Sequence, residues 1–180
     1  MQASLRREPP ASGWCSSDSH ACPCGNYGDP VKPCVCSEST VSRYQRRISG
    51  PLLDRIDLFV EVPRIDYDKL SALAPAESSV CVRQRVDSAR QLQTQRFAER
   101  PAGANAEMSP ADVREFCQTV IDESARSFLK LATERLSLSA RAFHRILKVA
   151  RTIADLEGVE DITTAHIAEA VQYRQRSRSV

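Results

Sequence analysis

The chain has 180 residues, 42% of them hydrophobic, and its 25 basic and 23 acidic side chains leave a formal net charge of +2. That length admits one ordinary domain, or a small module beside a helical domain, and the near balance of charge excludes an argument for nucleic-acid binding from bulk charge. No apolar run is long enough to span a membrane and the first residues lack the apolar stretch of a secretory signal, so a cytoplasmic chain with no membrane partner is expected.

Residues 1–21 are rich in Ser, Pro and Arg, carry Trp14 as their sole large aromatic side chain, and predict disorder. Residues 22–40 are turn-rich and hold two Cys-x-Cys pairs, Cys22/Cys24 and Cys34/Cys36, separated by nine residues. Four thiolates at that spacing can close a tetrahedral Zn2+ site, and the polar loop between them has no other visible means of holding a fold. Four free thiols in a loop, or a redox pair, is the competing reading. His20 is an alternative ligand and Cys15 lies further off. Cys81 and Cys117 fall in or beside helical patterns and are expected as small buried hydrophobes.

Beyond the cysteines, Val41 to Ile48 predicts a short helix broken at Ser49-Gly50-Pro51, and Leu52 to Arg55 another turn. Ile56 to Val62 alternates apolar and polar residues with period two and stops at Pro63, as a half-buried strand does. After a Pro- and Ser-containing connection, Ser78 or Ser79 caps a helix reaching about Phe97, with Val82, Val86, Ala89 and Leu92/Gln93 on its apolar side. Ser109-Pro110 with Asp112 starts a second helix and residues 124–134 form a third. Ala142, Ile146, Val149, Ala150 and Ile153 mark the strongest helix, ended by Gly158, and a last one follows Thr163-Thr164. The second half therefore reads as a bundle of about four helices. The tail from Tyr173 to Val180 holds three arginines and no acid, and a frayed solvated terminus is expected there rather than a phosphate contact.

The segment CPCGNYGDPVKPCVCSESTVSRYQRRISGPLLDRIDLFVEVPRID, residues 22–66, resembles the C-terminal half of the AAA+ module in the YifB/ComM family of magnesium-chelatase-like ATPases. The likeness continues through the helix around Arg83 to Phe97 and through LSLSARAFHRILKVARTIADLEGVEDITTAHIAEAVQYR, residues 136–174. It implies a mostly α fold: a partial AAA+ core remnant with a cysteine knuckle and one strand, then a C-terminal helical lid bundle. The implied organisation is a non-family stretch over 1–21, the C-terminal portion of the core over 22–103 and the lid domain over 104–176. The family is one of ring-forming bacterial ATPases related to magnesium chelatase and minichromosome-maintenance helicases, with members linked to DNA branch migration.

The resemblance assigns Arg55 as an arginine finger reaching the neighbouring subunit's nucleotide, a role suited to an always-charged planar fork of donors. From the residues alone, Arg55 reads as an ordinary salt bridge with Asp54 or Asp57. Arg141 matches a sensor-2 arginine touching nucleotide from the lid, with Arg145, one turn on, as its alternative; His144 is expected to pack or to be solvated. A complete member carries G-x-x-x-x-G-K-[ST] and an acidic Walker B strand upstream. No Gly-Lys-Ser/Thr occurs among these 180 residues, and Ser19-His20-Ala21 stands where the family has an apolar strand ending in a sensor asparagine. A truncated or rearranged reading frame is the expectation drawn from this. ATP and Mg2+ would then be engaged only through a complementing P-loop subunit of a ring. The alternatives are a zinc-stabilised module binding DNA or protein, with Arg43, Arg46, Arg47 and Tyr44 as its patch, and a decayed gene product.

Overall fold

The computed structural model describes residues 20–47, 49, 55–60, 62 and 77–174. The expectations for Trp14, Cys15, the turn at 51–54, most of the connection after Pro63 and the tail beyond Arg174 lie outside them. The chain forms two compact units, divided between Leu53 and Asp54.

In the first unit, two tight turns precede helix α1, Glu38–Gln45. Ser37 caps α1 by accepting from the Thr40 amide, so the helix starts three residues ahead of the expected Val41. Gly25 and Gly28 take φ of +81° and +82°, the left-handed region that folds the loop back on the first cysteine pair. Cys22 and Val41 are the only buried hydrophobic residues described in this unit.

The second unit is helical. Helix α2 spans Ser79–Arg96 and is capped by Ser78; a 3-10 turn covers Asn105–Glu107. Helix α3, Pro110–Val113, opens with a reciprocal capping box between Ser109 and Asp112 and widens into a π turn over Arg114–Gln118. Helices α4, Glu123–Arg135, α5, Ala140–Glu157, and α6, Thr164–Gln172, complete the bundle. Each begins after an Asp, Ser or Thr cap, and α5 stops at Gly158 with φ +74°. The start signals in the sequence thus place α2, α4, α5 and α6 within a residue or two.

Helix α5 runs through the centre. Its Ala142, Ile146, Leu147, Ala150 and Ala154 are buried and join Val113, Cys117, Leu129, Ile162, Ile167 and Val171 in one core. Side chains recurring every three or four residues share a helix face, which is why one stripe of α5 meets both α2 and α6. A single parallel bridge, Ile121 to Ile162, ties the loops ahead of α4 and α6.

Three expectations are corrected. Residues 56–60 and 62 form no strand: Leu58, Val60 and Val62 are 48%, 67% and 87% exposed. The described residues offer no partner strand, and an extended segment without one makes no sheet. It docks instead on the helical unit, the Phe59 amide donating to the Tyr173 carbonyl at 2.8 Å. Cys81 is exposed, because the first turns of α2, Ser79 to Ser88, stand clear of the core that begins at Ala89. Cys117 is fully buried as expected, and burial pushes its thiol up to about 12. Val82 and Val86 share this exposure, so the predicted apolar side of α2 is covered only at Ala89 and Gln93.

Candidate functional site

The two Cys-x-Cys pairs converge. The Sγ atoms of Cys22, Cys24, Cys34 and Cys36 all lie within 4.8 Å of one another. Cys22 to Cys24 is 3.3 Å, Cys24 to Cys34 3.5 Å and Cys22 to Cys34 3.7 Å. These separations are far longer than a disulfide bond of about 2.05 Å. They approach the roughly 3.8 Å edge of a tetrahedron whose corners sit about 2.3 Å from a central zinc. The donor set therefore fits a thiolate-liganded metal, and His20 is not part of the group.

Local backbone builds this arrangement. The Gly25 amide donates to the Cys22 carbonyl at 3.1 Å, closing the first turn, and the Asp29 carboxylate accepts from the Val31 and Lys32 amides, shaping the second. The Asn26 amide, then the Cys22 thiol and the Val35 amide, donate to Cys24 Sγ and lower its pKa to about 6, which favours its thiolate form. For Cys34 the Cys36 amide acts in the same direction, but desolvation and the bonds it makes to Cys24 and Cys22 outweigh it and push the thiol up to about 12. Cys36 is likewise raised: the Cys24 amide pulls down, while desolvation and the neighbouring Cys24 push up more strongly. A cluster holding one ready thiolate beside thiols that resist ionising suits a cation that displaces their protons.

In the helical unit, Arg55 is exposed, and its backbone carbonyl accepts from the Arg145 guanidinium on α5. The same nitrogen of Arg145 lies 2.7 Å from Asp57 Oδ1. Arg174 donates to the Ile56 carbonyl at 2.6 Å. The structure thus brings Arg55 and Arg145 together through main chain, and gives Asp57 to Arg145. Arg141, one turn earlier on α5, is exposed and shares none of these contacts. His144 is half-buried, its ring 5.9 Å from that of Phe143.

A polar cluster that the sequence reading did not single out lies inside the bundle. Asp155, with a fully buried carboxylate, accepts from Arg96 at 2.8 and 2.5 Å, from Asn105 at 2.7 Å and from Arg151 at 3.1 Å. Arg151 turns its remaining donors to the Glu160 and Val159 carbonyls beyond the end of α5. No described buried side-chain nitrogen or oxygen lacks a partner, so this network fastens α2, the 3-10 turn and α5 together and offers no open valence to a ligand.

Comparison with known proteins places this architecture in a class. Residues 76–174 match the family described as magnesium chelatase, subunit ChlI C-terminal, and residues 5–70 match magnesium chelatase, subunit ChlI, a match that begins ahead of Cys22. Competence protein ComM of Haemophilus influenzae is 40% identical over 143 residues, 79% of this chain and 27% of that protein. The uncharacterized protein YifB of Escherichia coli is 40% identical over 144 residues, again 79% and 27%. An uncharacterized protein of Mycobacterium tuberculosis is 39% identical over 155 residues, 86% of this chain and 30% of its own length. The chain belongs to the magnesium-chelatase-like proteins of the YifB/ComM type, and spans under a third of the length of these relatives. Among the described residues no helix is long and apolar enough to cross a membrane.

Proposed function

We propose that this chain supplies the finger and lid portion of a magnesium-chelatase-like AAA+ ATPase, acting on nucleotide at the interface with the neighbouring subunit of a ring. Arg55 is read as the finger acting in trans and Arg141 as the sensor-2 arginine of the lid. The observation that carries the reading is the family match across the helical unit together with an exposed Arg55 whose main chain is held by that unit. An arginine finger needs an anchored backbone and a solvent-exposed side chain, because its work is to meet charge developing on transferred phosphate. Exposed Leu58, Val60, Val62, Val82 and Val86 agree with a surface that an α/β core would cover. The DNA role of the family is proposed for the assembled ring, not for this chain alone. Zn2+ is the proposed occupant of the four-cysteine cluster, where it would be structural, since all four positions of a tetrahedron are filled by protein sulfur.

Mixing the purified chain with a full-length ATPase of the family tests the reading. A rise in ATP hydrolysis that Arg55→Ala abolishes is the expected result; no change in rate with the unaltered chain refutes it.

A second reading, a zinc-stabilised module that binds DNA, is favoured by one observation: Lys32, Arg43, Arg46 and Arg47 are all exposed on the cysteine-bearing unit. Titration with single- and double-stranded DNA across a salt series discriminates. Binding that weakens with salt and is lost on replacing the three arginines supports the patch, and absence of binding at low salt removes it.

A further inference from the structure

Arg145 carries a contact that a nucleotide-sensing arginine would not need. Its Nη1 donates to the Arg55 carbonyl and stands 2.7 Å from Asp57 Oδ1, so one nitrogen grips the chain on both sides of Ile56. The side chain is only 21% exposed, and its approach from α5 is fixed by the buried neighbours Ala142 and Ile146. Two further bonds hold the same segment to the end of α6: Arg174 donates to the Ile56 carbonyl and the Phe59 amide to the Tyr173 carbonyl. The segment has no strand partner among the described residues, so these contacts with helix side chains and helix ends set its path.

We infer that Arg145 is a positioning residue of the finger segment, holding the Arg55–Asp57 backbone to α5 so that finger and lid move as one body. The functional half of this statement rests on the reading of Arg55 as the finger. The physical half does not. A guanidinium that binds the Arg55 main-chain carbonyl and the Asp57 carboxylate at once ties the chain at two points two residues apart, and where that stretch goes the Arg55 side chain follows. Asp57 acts as the clamp's counter-charge: it keeps the Arg145 guanidinium turned toward the segment and away from a bound polyphosphate. A shift of α5 would then be transmitted to the finger with no intervening loop to absorb it.

The test uses the full chain and its variants Arg145→Gln, Arg145→Lys and Asp57→Asn, with two readouts. Hydrogen exchange at the Phe59 amide should quicken about tenfold in Arg145→Gln, the loss of one charge-assisted bond. It should return toward the parent rate in Arg145→Lys, whose ammonium can still reach carbonyl and carboxylate, and Asp57→Asn should fall between. Amides in the middle of α4 serve as the folding control. In the mixed ATPase assay, Arg145→Gln should lower kcat as Arg55→Ala does while leaving the KM for ATP unchanged, and Arg145→Lys should restore most of the rate. An unchanged Phe59 exchange rate in Arg145→Gln overturns the clamp. A raised KM with unchanged kcat overturns positioning in favour of nucleotide contact. If the parent chain stimulates no hydrolysis, the finger reading fails while the exchange measurement still decides whether Arg145 holds the segment.

Discussion

Arg96, in the last turn of α2, closes on Asp155, near the end of α5, through two bonds of 2.8 and 2.5 Å across 59 residues of chain. The carboxylate is fully buried and also serves Asn105 and Arg151, so one acidic side chain organises two cations and an amide. Replacing it by asparagine keeps the shape and removes the charge, leaving Arg151, 3% exposed, without its counter-ion. Asp155→Asn is predicted to destabilise the helical unit by about 3–5 kcal/mol, the range for breaking a buried pair from one side.

The pH dependence of that loss follows from the direction of the shift. Burial by itself raises the Asp155 carboxyl, but hydrogen bonds from Arg96 and Asn105 and the charges of both arginines outweigh it and hold the group below the ordinary carboxylate range. A depressed folded-state pKa contributes stability that is complete above the unfolded value of about 3.9 and drains away as pH falls toward the folded value. Urea unfolding of parent and Asp155→Asn should differ most at neutral pH and converge below about pH 4. A gap that stays constant to acid pH would show that the charge is not what matters.

Much of this was legible in the sequence, for a local reason. Caps and breakers act within four residues, so Ser78, Ser139, Thr163 and Gly158 announce helix ends wherever the chain goes. The cysteine cluster was legible too, because Cys-x-Cys spacing confines the partners before any fold exists. Two features were not. The strand expected over Ile56–Val62 depends on a partner strand, which local alternation cannot supply. The Asp155 network depends on Arg96 and Asn105 arriving from elsewhere; its local trace is that Arg151 and Asp155 continue the buried stripe begun by Leu147, at positions where an apolar residue belongs.

The start of α3 gives a sharper test of local capping. Ser109 and Asp112 bond each other reciprocally, and the Ser109 hydroxyl, then the Ser109 amide and Arg100, hold the Asp112 carboxyl below its ordinary range. Ser109→Ala should lower stability by about 1 kcal/mol, the usual worth of a lost N-cap. It should also move the Asp112 titration, followed by NMR, upward toward the ordinary value. An unmoved titration would assign the shift to the residue-109 amide and Arg100, not to the hydroxyl.

Gly158 isolates backbone strain from packing. It ends α5 at φ +74°, and a methyl group added there meets no heavy atom within 4 Å. Gly158→Ala should therefore destabilise by about 1 kcal/mol through the left-handed conformation alone. Gly158→Asn, which tolerates that conformation better, should recover part of the loss in the same thermal melts.

Metal removal bears on the unit before Leu53. Its described buried hydrophobic residues are Cys22 and Val41, far too little apolar surface to order residues 20–47 unaided. Four sulfurs within 4.8 Å can supply the missing free energy through a single ion. Elemental analysis should find about one zinc per chain. A strong chelator should make four additional thiols react with a disulfide reagent and speed amide exchange throughout α1, while α5 keeps its protection. Cys22→Ser should reproduce the exchange pattern without chelator, since Cys22 is the most buried of the four. Protection of α1 that survives chelation would mean that the turns alone hold the knuckle, and that no ion is required.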